Sequence, residues 1–356
     1  MYKNDYLSVI RILQKSENLI VYGLGEAGEN FERVCLHYGI SVNAYVDSNR
    51  EGQFYGHKIS RLEELKDMKN SERIDVVVCA GPAFEIIKEQ VCFYFGQEKV
   101  TIYNGGELFT EFIIDSMDAL LFLEYYKENR NTIVELLDNL ADEFSKAVVL
   151  SYYEFMETKN AECLNGYWQY DQYFPVGIYK ARSGVFIDGG SYNGKNAKEM
   201  IEKNPTIEKV ICYEPFQSCI PLIYENIDKW NIENKVEVHN SALYSKSGTL
   251  MLTENGTASA IASEGIEINC EKIDDLTDRN ISFIKMDIEG MELEALKGAE
   301  NIIKRDAPFL AICIYHKPED IVEIPTYIMS LGVDYSYYIR HHERNQTELV
   351  FYAVPQ

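Results

Sequence analysis

The strongest constraint on this chain is the run Val185-Phe-Ile-Asp-Gly-Gly-Ser-Tyr-Asn-Gly194, apolar residues that end in an acid and two spaced glycines. A helix-like stretch, Lys195 to Lys203, follows directly. The pattern predicts a buried strand, a tight loop, and a helix whose free N–H groups face that loop. So little side-chain bulk lets a ligand approach the backbone. Asp188 at the strand end favours an amine or hydroxyl donor over a phosphate. Further apolar runs end in polar residues: Lys209 to Glu214, Val236 to Asn240, Ile281 to Asp287 and Phe309 to His316. In a doubly wound parallel sheet these ends gather at the carboxyl edge, where Glu214 can accept both hydroxyls of a ribose.

The same grammar occurs earlier. Asn18-Leu-Ile-Val-Tyr-Gly-Leu-Gly-Glu-Ala-Gly28 predicts a strand, a Gly23-x-Gly25-x-x-Gly28 loop and a helix from Glu29 to Tyr38. A second strand, Ser41 to Val46, ends at Asp47, where a dinucleotide fingerprint places its acid. Ile74 to Cys79 and Val100 to Tyr103 read as further strands. Gly23, Gly25, Gly28 and Asp47 are therefore candidates for a second site, for a nucleotide or nucleotide sugar. The alternative is that these glycines only permit close helix–strand packing. Between the two units the chain is mostly helical, with Ile133, Leu136, Leu137, Leu140 and Phe144 on one face. The expected architecture is α/β: two Rossmann-like doubly wound domains in tandem, residues 1-106 and 171-356, joined by a helical linker over 107-170.

Four successive motifs of the second unit resemble those of the FkbM-type methyltransferases, class I enzymes that use S-adenosylmethionine (SAM). They are Phe186 to Gly194, Tyr213-Glu-Pro-Phe216, Asn240-Ser-Ala242 and Lys285-Met-Asp-Ile-Glu-Gly-Met-Glu-Leu-Glu-Ala-Leu-Lys-Gly298. The last is the most distinctive, since generic class I enzymes lack it. Gln172-Tyr-Phe174 also matches a segment that precedes the first strand in some members. The resemblance implies a seven-stranded class I sheet, with Tyr335 to Arg340 and Glu348 to Val354 as its final antiparallel pair. For SAM it implies Tyr173, Phe174, Asp188, Gly190, Tyr192, Asn193, Gly194, Glu214, Pro215, Phe216, Asn240, Ser241, Ala242 and Asp287. Lys195-Asn196 depart from the Thr or Ser that the family usually has after the second glycine. In the first unit, Asp47 and Gly56 to Ile59 resemble features of sugar-modifying and polysaccharide-biosynthesis proteins.

Composition narrows the partners. A formal net charge of −23 argues against nucleic acid, which needs a positive footprint. No apolar run has the length of a bilayer span, and the N-terminus is charged without a cleavable apolar segment, so a cytoplasmic protein is expected. Eight cysteines without a CxxC pair signal neither a zinc site nor a disulfide framework, and no metal is expected. Arg340-His-His-Glu-Arg344 reads as a small solvated turn. The expected partner is a small-molecule or glycan acceptor, and a homo-oligomer is compatible with this reading.

Methyl transfer from a sulfonium is an in-line displacement, so the protein positions the acceptor, excludes water and removes a proton where one must go. For a sugar hydroxyl a general base within hydrogen-bond reach helps. Asp287, Glu289 and His316 are the catalytic candidates. Each has a structural alternative: Asp287 as the holder of the cofactor's ammonium, Glu289 as a helix cap, His316 as a packing histidine. Three acids and a histidine near one edge could also hold a divalent metal, but no spacing motif supports one. Glu292 is expected to point back into its helix. Thr249 to Thr253 and Ile266 to Cys270 predict an inserted hairpin, with Asn255-Gly256 as its turn. The expected activity is SAM-dependent O-methylation of a sugar or of a glycan or polysaccharide precursor. The alternative is a nucleotide- or SAM-binding sensor or scaffold that transfers nothing.

Overall fold

The structure, a computed structural model, describes residues 3–116, 119–158, 160–255, 258–261 and 266–356. The chain divides into two compact units, Met1–Met117 and Asp118–Gln356. No helix among the described residues is long and apolar enough to cross a membrane.

In the first unit, β1 (Leu19–Tyr22), β2 (Ala44–Val46), β3 (Gln53–Phe54), β4 (His57–Ser60), β5 (Ile74–Val78) and β6 (Val100–Asn104) form a sheet of order β3-β4-β2-β1-β5-β6. All pairs are parallel except β3 with β4. Strands β1 and β5 are buried along their whole length, as strands covered on both faces should be; β1 is wholly apolar, and β5 is apolar but for Asp75, which pairs with Arg73 and accepts from Ser16. The helices are α1 (Lys3–Gln14), α2 (Glu26–Tyr38), α3 (Phe84–Phe95) and α4 (Gly105–Ser116). Phe31 and Val34 of α2 pack on Leu19 and Val21, while Val91 and Phe95 of α3 pack with Ile20 and Val76. This is a Rossmann-like unit.

The second unit opens with α5 (Ala119–Glu128), α6 (Arg130–Asn139) and α7 (Glu143–Thr158). Its main strands are β7 (Gly184–Gly189), β8 (Ile207–Tyr213) and β9 (Val236–His239). An insert carries β10 (Ala242–Leu243), β11 (Gly248–Asn255), β12 (Ala258–Ile261) and β13 (Ile266–Glu271). Then come β14 (Ile281–Met286), β15 (Phe309–Cys313), β16 (Tyr335–His341) and β17 (Leu349–Pro355). The helices of this unit are α8 (Lys195–Lys203), α9 (Ile220–Trp230), α10 (Glu292–Lys297), α11 (Glu300–Asp306) and α12 (Asp320–Ser330). The seven-stranded sheet has the order β16-β17-β15-β14-β7-β8-β9. It is parallel apart from β17, which runs antiparallel to both β15 and β16. The chain reverses its winding beside β7, whose neighbours are β8 and β14, so the ligand crevice of such a sheet lies at their carboxyl ends.

The helices over 107-170 join the two α/β units, with α4 falling in the first and α5, α6 and α7 in the second. Helix α4 packs on α2, and α7 packs on β16. Two expectations change. The insert is a four-stranded sheet of its own, order β10-β13-β11-β12, rather than a plain hairpin, and Gly256 of the expected turn lies outside the described residues. Arg340, His341 and His342 are buried, not solvated. Arg340 pairs with Asp142 at 2.6 Å and donates to Ser145 Oγ at 2.6 Å, so a partner far back in the chain makes the burial affordable.

Candidate functional site

The glycine loop begins where β7 ends. Gly190 adopts φ +75°, and a Cβ there would run into the backbone oxygen of Asp287 on the neighbouring strand end. Only glycine fits. Beneath the loop Asp188 is 0% exposed and Lys285, near the end of β14, is 1% exposed. Lys285 Nζ lies 3.2 Å from Asp188 Oδ1, an ion pair without a hydrogen bond, because Nζ directs its protons at the carbonyls of Gly189 (2.9 Å) and Gly190 (2.8 Å). Burial pushes the Lys285 ammonium down, but Asp188 and Asp287 outweigh it and raise its proton affinity. Lys285 therefore holds the loop from below.

Glu214, just past β8, is buried and ties the loop from the side. Its Oε2 accepts the Tyr192 N–H at 2.8 Å and its Oε1 the Phe216 N–H at 3.0 Å. Burial pushes its carboxyl up against the pull of these amides. A carboxylate has about four lone-pair sites, so two remain for further donors. Asn240 donates from Nδ2 to the carbonyls of Glu214 (2.9 Å) and Pro215 (3.0 Å), which fixes the course of Glu214-Pro215-Phe216. Ser241 is buried and donates to Glu271 at 2.7 Å, while Ala242 opens β10. Asn193 accepts the Lys195 N–H at 3.0 Å, Gly194 takes φ +77° before α8, and Tyr192 stands half-exposed in the loop.

The third side is built around Asp287, just past β14. Its Oδ2 accepts from Tyr173 Oη at 2.9 Å and its Oδ1 from Tyr315 Oη at 3.2 Å. His316 Nε2 lies 3.4 Å from Asp287 Oδ1 and 3.7 Å from Glu289 Oε2, and its Nδ1 lies 3.1 Å from Glu292 Oε1. Burial alone would push the Asp287 carboxyl up, but His316 and Lys285 outweigh it and hold it well below the usual carboxylate range. Burial likewise pushes the His316 imidazole down, yet Glu292 and Asp287 keep its proton well above the usual histidine range. His316 is thus a cation among carboxylates at neutral pH. The expected catalytic trio does come together, but the histidine enters as a charge rather than a ready base. Phe174, by contrast, packs among Tyr179, Phe186 and Phe283 in the core.

Glu292 lies in the last motif without an assigned site role, whereas Glu348, Tyr352 and His342 lie outside every motif. Glu292 opens α10, accepts the Ile288 N–H at 2.8 Å and is fully buried, so it turns toward His316 as well as back to its own helix start. Glu348 accepts from Gln172 and, at 3.4 Å, from Tyr315 Oη, and burial with the Asp287 charge pushes its carboxyl up to about 7. Tyr173 is held from behind: its N–H donates to Tyr352 Oη at 3.1 Å, and Tyr352 Oη lies 2.8 Å from His342 Nε2. His342 Nδ1 faces the Gln169 carbonyl at 2.8 Å, so it carries the proton and Nε2 accepts. Lys285 and Glu348 did leave a signal, a charge inside an apolar strand run and an acid before one. Tyr173, Tyr192, Glu289 and Glu348 are four of the seven non-glycine residues with left-handed backbone among those described. Such strain persists where surrounding contacts over-determine it, and here it rings one crevice.

In the first unit Asp47 accepts three backbone N–H groups, from Leu24 (2.9 Å), Asn49 (2.7 Å) and Arg50 (2.9 Å). Burial pushes its carboxyl up, but these amides win and lower it. A Cβ on Gly28 would meet the Gly23 carbonyl at 2.5 Å, and one on Gly23 would meet the Cys79 carbonyl at 2.8 Å, whereas Gly25 faces open space. Asp47 and two of the three glycines are engaged in closing the loop and packing α2 on β1. A cavity of about 520 Å³, lined in part by Tyr22, Asp47, Ser48, Arg61 and Tyr94, lies beside them.

Comparison with known proteins follows these features. Residues 188–337 match the family described as Methyltransferase FkbM domain. The solved structure of methyltransferase FkbM from Methylobacillus flagellatus KT matches with 22% identity, over 99% of this chain and 99% of that one, at a TM-score of 0.59. An rRNA methylase from Streptococcus thermophilus matches with 16% identity over 49% of this chain and 89% of its own, at a TM-score of 0.34. Precorrin-6y C5,15-methyltransferase from Geobacter metallireducens GS-15 matches with 14% identity over 53% of this chain and 94% of its own, at 0.31. No curated protein matches the sequence. The seven-stranded order, the glycine loop and the matched segment agree: the C-terminal domain of this chain matches the FkbM methyltransferase domain family, and a Rossmann-like unit precedes it.

Proposed function

We propose that this protein is a SAM-dependent O-methyltransferase acting in the cytoplasm on a sugar hydroxyl of a glycan or polysaccharide precursor. One observation carries the reading: a side-chain-free loop at Gly190, the Glu214 carboxylate and the ionised Asp287 converge on one edge of a class I sheet. The open loop suits a cofactor lying on the backbone, and the two unused lone-pair sites of Glu214 suit ribose hydroxyls. Tyr173 and Tyr315, both donating to Asp287, fix the carboxylate that would orient the cofactor's ammonium or the acceptor. The sulfonium supplies the methyl group. The chain's own part is to position, to exclude water and to hold charge.

Calorimetry with SAM tests the cofactor assignment. Glu214→Ala should weaken binding by on the order of 1.5–3 kcal/mol, the value of a charge-assisted hydrogen-bond pair. Unchanged affinity in a folded variant overturns it. Incorporation of labelled methyl groups into nucleotide sugars and cell-envelope extracts tests the transfer. Asp287→Asn should reduce both SAM affinity and turnover, and His316→Gln turnover alone, which separates an anchor from a group acting on the acceptor. SAM binding with no transfer to any acceptor would favour the sensor or scaffold reading.

A further inference from the structure

His316 has a carboxylate at each ring nitrogen, and this arrangement does more than balance charge. Asp287, Glu292 and His316 each present a ligand atom, and these atoms lie within 4.8 Å of one another. Two buried atoms in the group lack a hydrogen-bond partner among the described residues: Glu292 Oε2, on a residue 0% exposed, and His316 Nδ1, on a side chain 10% exposed. Nδ1 stands 3.1 Å from Glu292 Oε1, which already accepts the Ile288 N–H. That separation matches two adjacent ligands on an ion with bonds of roughly 2.1 Å. Whichever nitrogen coordinates, the other has an acceptor at Asp287 or Glu292, the carboxylate–histidine–metal pattern that fixes a ligand's tautomer. Lys285 directs its protons at two backbone carbonyls beside Asp188 and acts on Asp287 through its charge.

We propose that Asp287, Glu292 and His316 form a divalent cation site beside the glycine loop. Two carboxylates and one imidazole suit a cation that accepts oxygen and nitrogen together, Mn²⁺ before Ca²⁺ or Cu²⁺. The site rests on the methyl-transfer reading only for its purpose. A cation at Asp287 would lower the pKa of a bound acceptor hydroxyl so that its proton could leave to water, and the site would need no free histidine base to take it.

The test uses the full chain, freed of metal with a chelator and titrated with Mn²⁺ while free Mn²⁺ is followed by electron paramagnetic resonance. One saturable site is expected. Glu292→Gln, which keeps the acceptor for Ile288, and His316→Gln should each weaken it by more than the ~10–100-fold that loss of an outer-shell partner costs, since each is a direct ligand. Absence of saturable Mn²⁺ binding to the folded wild-type chain overturns the proposal and leaves His316 as an imidazolium between carboxylates. Unaltered binding in both folded variants overturns it equally. SAM calorimetry on the same samples keeps the two readings apart. SAM binding without Mn²⁺ binding removes the cation alone, whereas Mn²⁺ binding without SAM binding removes the cofactor reading and retains the site.

Discussion

Gly190 shows how much a single position can constrain. Its left-handed backbone and its contact with the Asp287 carbonyl exclude every side chain, so Gly190→Ala must shift either the loop or the end of β14. The backbone conformation alone costs about 1–3 kcal/mol, with the clash added to it. Urea denaturation should register that loss together with reduced SAM affinity, and a variant of wild-type stability would refute the fit. The glycine was legible in the sequence because a glycine between a buried strand and a helix has few other uses. His316 was legible as a candidate site residue but not as a group held toward its protonated form. Its charge state depends on Glu292, and only the turn at Glu289-Gly290, with φ of +58° and +88°, brings that acid back to the ring. Lys285 appeared only as a letter of a motif, although a lysine inside an apolar strand must find a partner such as Asp188.

Elements were legible where one pattern had one physical meaning. β7, β5 and β14 are mostly apolar runs, interrupted by Asp188, by Asp75 and by Ser282 and Lys285, and they fall where that pattern placed them. The helices after the first sheet were less tractable. An amphipathic stripe declares that a face will be covered and not which element covers it, so α4 and α7 could not be assigned to their units from spacing alone. Arg340-His341-His342 misled for a related reason, because its partners Asp142, Ser145 and Gln169 lie far back in the chain. The loop between β1 and α2 carries its own prediction. Asp47→Ala removes the acceptor of three backbone amides, and each orphaned donor costs about 1–3 kcal/mol unless water reaches it. The first unit should therefore lose several kcal/mol in urea, while SAM affinity, a property of the other unit, stays unchanged. Wild-type stability in Asp47→Ala would mean that the carboxylate serves a ligand rather than the loop.

At the scale of the molecule, the titrating groups of the second unit set how its stability depends on pH. Burial pushes Glu348 and Asp320 up to about 7, the first aided by Asp287 and the second by Glu292. Their folded forms hold protons that the unfolded chain has released, so the stability they give is complete below pH ~4 and is lost as pH rises through 7. Burial lowers His341 and His342 to about 4, so their contribution is complete above pH ~6.5 and is lost as pH falls. These shifts are similar in size, opposite in sign and two against two, so between pH 4.5 and 6.5 they should nearly cancel and leave the falling contribution of Glu214, whose carboxyl burial also raises. Above pH 6.5 the imidazolium of His316 takes over, since its raised proton affinity makes the protein lose stability as that proton leaves. The net charge of −23 adds repulsion in the same direction. Both tryptophans, Trp168 and Trp230, lie in this unit, so their fluorescence in urea reports on it alone. For the metal-free wild type the stability should fall only gently from pH 4.5 to 6.5 and more steeply by pH 8. Glu348→Gln keeps an acceptor for Gln172 but removes one of the falling contributions, which unmasks the histidines. Its stability should rise with pH across the same interval, by on the order of 2 kcal/mol relative to wild type. Parallel pH profiles for the two proteins would show that Glu348 is ionised throughout, and that Asp287 and Glu348 do not share the crowded charge assigned to them.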